Sequence, residues 1–145
     1  MDKKTFLEKI EDLKNDEYMS DAQLEIFRAR LVTLHAEFEE RRKAKESEMM
    51  SINMRDASDE ADRAQLIELQ NLVLREKDGI SNLSKCVVNA LKAITSEDYG
   101  FCLQCGEEIG LDRLKTSPFA LHHAECLSDL DTTAKKLTGN IRIAG

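Results

Sequence analysis

From Leu24 onward the apolar residues recur at alternating steps of three and four: Leu24, Phe27, Leu31, Leu34 and Phe38. That rhythm is a heptad seam, the mark of one helix laid along another. Continued in register, it meets Arg41, Lys45 and Glu48 before Ile52, so the seam turns polar toward its far end. A second run keeps the same steps through Leu66, Leu69, Val73, Glu76, Ile80, Leu83, Val87, Ala90 and Ile94, with Glu76 its one polar member. A period of about 3.5 residues held over that length predicts coiled-coil packing rather than burial in a globular core. Between the runs lies NMRDASDEADRA, short and polar, which predicts the tip of an antiparallel hairpin. Arms of roughly 30 residues reach about 45 Å at a rise of 1.5 Å per residue. Gly79 is a weak spot in the second arm, costing about 1 kcal/mol relative to Ala.

The flanks read differently. Residues 2–14 predict a short helix with Phe6, Leu7, Ile10 and Leu13 on one face. The segment NDEYMSDAQ interrupts it, and Ser20 or Asp21 is the expected N-cap of the first arm. The heptads stop at TSEDYGF, where a cysteine-rich module begins. Past Cys126, the residues Leu127, Leu130, Ala134 and Leu137 predict one more helix, and TGNIRIAG has no periodicity. The expected organisation is an N-terminal helix and connector over 1–19, a hairpin over 20–97 with its tip near 53–63, a zinc-finger module and C-terminal helix over 98–137, and a flexible tail over 138–145. The fold class is mainly α: a long antiparallel coiled-coil hairpin with a small zinc-binding module and flanking N- and C-terminal helices.

Composition supports an elongated helical shape. With five Phe, two Tyr and no Trp, and 34% of its 145 residues charged, the chain has little material for a large core. One Pro and six Gly leave few interruptions for a strand-rich fold. The net charge of −7 argues against a nucleic-acid surface, which needs clustered Lys and Arg. It suits a protein partner with a basic cleft. The start, MDKKTFLEKIEDLK, lacks the apolar stretch of a signal peptide, and no run is long enough for a membrane helix. The expected setting is therefore the cytoplasm, where spaced cysteines serve metal binding more often than disulfides.

FCLQCGEEIG, followed seventeen residues after its second cysteine by HAEC, carries the clearest chemistry. Cys102, Cys105, His123 and Cys126 have the spacing of a closed tetrahedral zinc site. Two thiolates on a tight knuckle hold one side, and Gly106 supplies the positive φ such a turn needs. Four protein ligands leave no open position, so one zinc in a structural role is expected. A thioredoxin-type dithiol is the competing reading of C-x-x-C, but it wants a βαβ context that is missing here. His122 competes with His123 as fourth ligand, and Cys86, beside the seam, has no metal role. The stretch between the two halves carries only Arg113 and Lys115 against three acids, which gives no face for phosphates and so no sequence-specific DNA binding.

At the hairpin turn, Asp59 and Asp62 in DEADRA cap the second helix and favour its positive end in the plainest reading. They are also two carboxylates exposed at the part of a rod that reaches farthest into any partner. EYMSDAQLEIFRARL, the D-x-x-D-x-A of Asp59, Asp62 and Ala64, the motif YGFCLQCGEEIG and the seventeen-residue gap occur together at matching separations. In these the chain resembles the bacterial DksA/TraR family of transcription factors, over nearly its whole length. The resemblance implies a non-enzymatic, monomeric factor that inserts its coiled coil into the secondary channel of RNA polymerase. Asp59 and Asp62 would then act near the active centre, with Ala64 allowing close approach, and promoter open complexes would change in stability. It also implies that cations facing the alarmone ppGpp in relatives are replaced here by Cys86, Ser117 and Leu127, so ppGpp dependence is expected to be weak. His123 departs from the common pattern, which has a fourth cysteine. Two alternatives stay open: a Gre-type factor stimulating transcript cleavage through a tip-held Mg²⁺, and a zinc-stapled coiled-coil adaptor without a polymerase role.

Overall fold

The computed structural model describes the backbone of residues 1–143 and the side chains through Leu137. The described residues form five helices in order: α1 (Lys3–Asp12), α2 (Asp21–Ser51), α3 (Glu60–Thr95), α4 (Leu111–Thr116) and α5 (Ala124–Ile143), with a 3-10 turn at Met54–Asp56. Among the described residues the one β-type pairing is an isolated bridge between Phe101 and Glu108. None of these helices is long and apolar enough to cross a membrane.

The helices α2 and α3 form the expected antiparallel hairpin. Ser20 is the N-cap of α2, its hydroxyl accepting the N–H of Gln23. Gln23 is fully buried and satisfied on both sides. Its Oε1 accepts from the Met19 N–H at 2.8 Å and its Nε2 donates to the Leu13 carbonyl at 2.8 Å. One buried amide thus joins the end of α1 to the start of α2. A buried polar group is tolerated only when paired in this way.

The seam behaves as two different interfaces. Near the base, Phe27, Leu31, Leu34 and Phe38 meet Ile80, Val87, Ala90 and Ile94, and the cluster takes in Phe6 and Ile10 of α1 with Tyr99, Ile109 and Leu114 of the module. This corrects the expectation of coiled-coil packing alone, because the lower half of the hairpin is the wall of a small globular core. The reason is aromatic. Phe27 packs against Phe6 and Tyr99, each with ring centroids 5.4 Å away, joining three parts of the chain. Toward the tip the interface becomes ionic: Lys45 pairs with Glu76 at 2.6 Å and Lys77 with Glu46 at 3.2 Å. A second correction concerns Leu83, which is exposed. Ser84 takes the inward position and donates to Glu39 of α2 at 3.0 Å.

α5 runs to Ile143, beyond the expected helix end at 137. The expectation of a flexible tail over 138–145 falls on residues whose side chains, and for 144–145 whose placement, lie outside the described part.

Candidate functional site

The cysteine module begins where α3 ends. Gly100, with φ of +90°, sits so close to the connector that an added Cβ would come within 2.6 Å of Met19 Cγ. Only glycine fits there. The chain then turns through the knuckle: Cys102 N–H donates to the Glu107 carbonyl at 2.8 Å, Gly106 N–H to the Cys102 carbonyl at 2.8 Å, and Ile109 N–H to the Gly100 carbonyl at 2.8 Å. Gly106 has the positive φ, +77°, that the sequence called for. Leu103 N–H donates to the Leu121 carbonyl at 2.9 Å, which draws the second half of the module onto the first.

That second half ends at the start of α5, with His123 just before it and Cys126 in its first turn. The outcome is a cluster in which the donor atoms of Cys102, Cys105, His123 and Cys126 all lie within 4.8 Å of one another. Zinc with bonds of about 2.0–2.3 Å spaces its four donors at just under ~4 Å in a tetrahedron. The donor set and its dimensions fit that ion. His122 is elsewhere: it lines a different cavity, and its carbonyl accepts from Arg113 Nε at 2.9 Å.

The thiols are not equivalent. Burial opposes the thiolate of Cys102, yet the N–H groups of Cys105, His123 and Gln104 outweigh it and hold its pKa at about 5. Burial, and then the neighbouring Cys102, push Cys126 up to about 11. His123 is raised by the Glu108 carbonyl and then by Cys102. A dication among these donors favours the deprotonated thiols and a neutral imidazole. Cys102 is buried and Cys105 exposed, so the cluster lies at the surface of the module with one side sealed.

The tip is the other place where expected site residues gather. Asp59 is the N-cap of α3, its Oδ1 accepting the Asp62 N–H at 2.8 Å. Asp62 in turn accepts from the Ser58 hydroxyl. Asp59 therefore caps the helix and Asp62 braces the turn through Ser58, while Asp59 and Ala64 remain exposed to anything the tip meets. The role of Ser58 was not legible in the sequence, because Ala61 stands three residues on, where a capping box would carry an acid.

The third group is Cys86, Ser117 and Leu127, which line one cavity of about 380 Å³ at the base together with Phe119, Arg113 and His122. Also missed was Tyr18. Its hydroxyl donates to the Gly100 carbonyl and accepts from the Gly110 N–H, and its ring packs edge-on against Phe101. A lone tyrosine in a connector carries no periodic signal that would have found it.

Comparisons with known proteins agree with this architecture. A family model described as the prokaryotic dksA/traR C4-type zinc finger matches residues 97–129. The chain is 32% identical over 126 residues to the RNA polymerase-binding transcription factor DksA of Haemophilus influenzae, covering 87% of this chain and 86% of that protein. It is 31% identical over 137 residues to the protein of the same name from Escherichia coli K12, covering 92% and 87%. Among solved structures, transcription factor DksA2 from Pseudomonas aeruginosa matches with a TM-score of 0.72 and 30% identity, over 86% of this chain and 97% of that one. The zinc-finger match and the Cys3His cluster together give one structural zinc per chain.

Proposed function

The chain belongs to the DksA/TraR family, and on that premise we propose that it is a cytoplasmic, monomeric regulator of transcription that binds RNA polymerase directly. In this reading the hairpin enters the secondary channel of the enzyme, and the tip residues Asp59, Asp62 and Ala64 work beside the active centre. The zinc module and α1 form the base that stays outside. The protein catalyses nothing itself; it alters the lifetime of promoter open complexes and reads no promoter sequence.

One observation carries the reading. A single chain unites a zinc-centred base with a hairpin of 31- and 36-residue helices whose far end presents Asp59 and Asp62, and most of its length is similar to proteins named for binding RNA polymerase. The reach supports it too: about 45 Å of helix is ample for a tip that acts at a distance from its anchor. The acidic balance suits a channel lined by cations. The hydrogen bonds at the tip favour a charge-presenting role over the Gre-type reading, since one Asp59 oxygen is committed to the Asp62 N–H and one Asp62 oxygen to the Ser58 hydroxyl, which makes each a poorer Mg²⁺ ligand.

Dependence on ppGpp is weak in this proposal. The cavity holding Cys86, Ser117 and Leu127 has Arg113 as its cation, and Arg113 already donates to the His122 carbonyl. A polyphosphate gains about 1.5–3 kcal/mol from each charge-assisted hydrogen bond, so three neutral side chains forgo most of that affinity.

The test is binding to core polymerase, with a photo-reactive residue in place of Ala61 at the tip. Saturable binding with cross-links to the segments around the active centre supports the proposal. Absence of binding returns the chain to an adaptor role, and RNA cleavage in halted complexes would favour the Gre-type alternative.

A further inference from the structure

His123 stands where a C4-type finger carries a cysteine, and its two ring nitrogens face different partners. Nδ1 lies 3.3 Å from Cys105 Sγ and 3.9 Å from Cys126 Sγ. Nε2 points the other way and lies 2.9 Å from the carbonyl oxygen of Glu108. A carbonyl can only accept, so at that contact Nε2 carries the proton. The neutral imidazole then turns the bare lone pair of Nδ1 toward the sulfurs. We propose that His123 ligates zinc through Nδ1 and donates its Nε2–H to the Glu108 carbonyl, so that one side chain both closes the metal site and ties the start of α5 to the knuckle.

Reach explains why this nitrogen is used. A cysteine sulfur is one bond beyond Cβ. Nδ1 is two bonds beyond it, whereas Nε2 lies across the ring. A knuckle shaped for a fourth cysteine accepts imidazole with the smaller displacement if the nearer nitrogen binds. The second contact also has a chemical reason: a ligating histidine nearly always donates its other N–H, which fixes the tautomer and the ring plane. Here the acceptor belongs to the first half of the module. The pairs Cys102 N–H to Glu107 O and Ile109 N–H to Gly100 O flank Glu108 on either side, and its own carbonyl faces the imidazole. The two halves are thus joined once through the ion and once through protein alone. With three thiolates and a neutral ring, the filled site bears one net negative charge, where four cysteines would give two.

This inference rests on the zinc assignment and is independent of any role at polymerase. It is tested on the zinc-loaded, ¹⁵N-labelled full chain by long-range ¹H–¹⁵N correlation of the histidine rings, with His122→Gln and His35→Gln for assignment. The expected result is a metal-bound shift at Nδ1 of His123 and a protonated Nε2. Metal-bound Nε2, a metal pattern on His122, or a free, exchanging His123 ring in fully loaded protein would each overturn it. His123→Cys gives the second readout. Loaded with cobalt(II), it should show a four-thiolate spectrum, yet the amides of Cys102 and Ile109 should exchange roughly fivefold faster or more, having lost one stabilising hydrogen bond nearby. Exchange as slow as in the parent protein would remove the second link from the proposal.

Discussion

The hydroxyl of Tyr18 donates to the carbonyl of Gly100 across 2.6 Å, joining residues 82 positions apart. The same oxygen accepts from the Gly110 N–H at 3.0 Å. The connector between α1 and α2 is therefore pinned at two points to the loop that positions the metal ligands. Burial pushes the Tyr18 phenol up, so it stays protonated and able to donate at ordinary pH. Replacing Tyr18 by Phe keeps the ring on Phe101 but leaves two main-chain groups without this partner. The expected loss is about 1–3 kcal/mol of stability, read as a lower midpoint in urea unfolding of the zinc-loaded protein, with little change in helix content at 20 °C.

Removal of one ligand should separate the module from the rod. Cys105→Ser is expected to release zinc and loosen residues 98–130, while α2 and α3 remain helical because the core they share is built mainly of Phe27, Leu31, Leu34, Phe38, Ile80, Val87, Ala90 and Ile94, with Cys102 within it and Cys126 at its edge. Metal analysis beside far-ultraviolet circular dichroism tests both halves of that statement. Full zinc occupancy in this variant would refute the four-ligand assignment.

At the tip, capping and function are separable by an isosteric change. Asn caps a helix as well as Asp, whereas Ala costs about 0.5–2 kcal/mol. Asp59→Asn with Asp62→Asn should therefore leave folding almost unchanged and keep affinity for core polymerase within about tenfold. The effect on open-complex lifetime should vanish with the charge. A double variant that still shortens or lengthens that lifetime would leave Asp59 as a cap and Asp62 as the partner of Ser58, and nothing more.

Glu11 gives a pH prediction. Hydrogen bonds from Lys115 and then Lys14 hold its carboxyl at about 2, below the ordinary value of 4.5. A depressed carboxyl stabilises the fold above its ordinary value and loses that contribution as pH falls toward the depressed one. The link between α1 and α4 should accordingly weaken as pH drops from about 4.5 to about 2. Carboxyl titration by NMR should find Glu11 well below its neighbours, and Lys115→Met should bring it most of the way back.

For the alarmone, the decisive measurement is open-complex half-life with a polymerase lacking any other ppGpp site. This protein should respond little to added ppGpp. Cys86→Lys combined with Leu127→Lys should restore a response, because both positions line the same cavity as Arg113. A strong response from the unaltered chain would contradict the proposal.

Much of this architecture was legible because period and spacing are local properties. The steps from Phe27 to Phe38 and from Ile80 to Ile94 announce two helices facing one another, and C-x-x-C with H-x-x-C announces a tetrahedral donor set. What could not be read is how far the seam belongs to a globular core. That depends on Phe6 and Tyr99 reaching Phe27 from distant parts of the chain, and no window along the sequence contains all three. Leu83 was misplaced for a related reason. A heptad assigns the inward position by count, but opposite that turn α2 presents Glu39, which takes a hydroxyl from Ser84. Between His122 and His123 the H-x-x-C spacing already favours His123, and the turn before α5 brings His123 to the three cysteines.

The change from apolar to ionic contacts along the hairpin makes it a cantilever with a stiff root and a compliant free end. The root is gripped by a core that electrolytes barely affect. The outer span buries Val73 and otherwise joins its helices through the half-exposed pairs Lys45–Glu76 and Lys77–Glu46, weak contacts screened over about 8 Å at physiological salt. Its flexural profile is thus tunable by ionic strength from the tip inward, without loosening the mount.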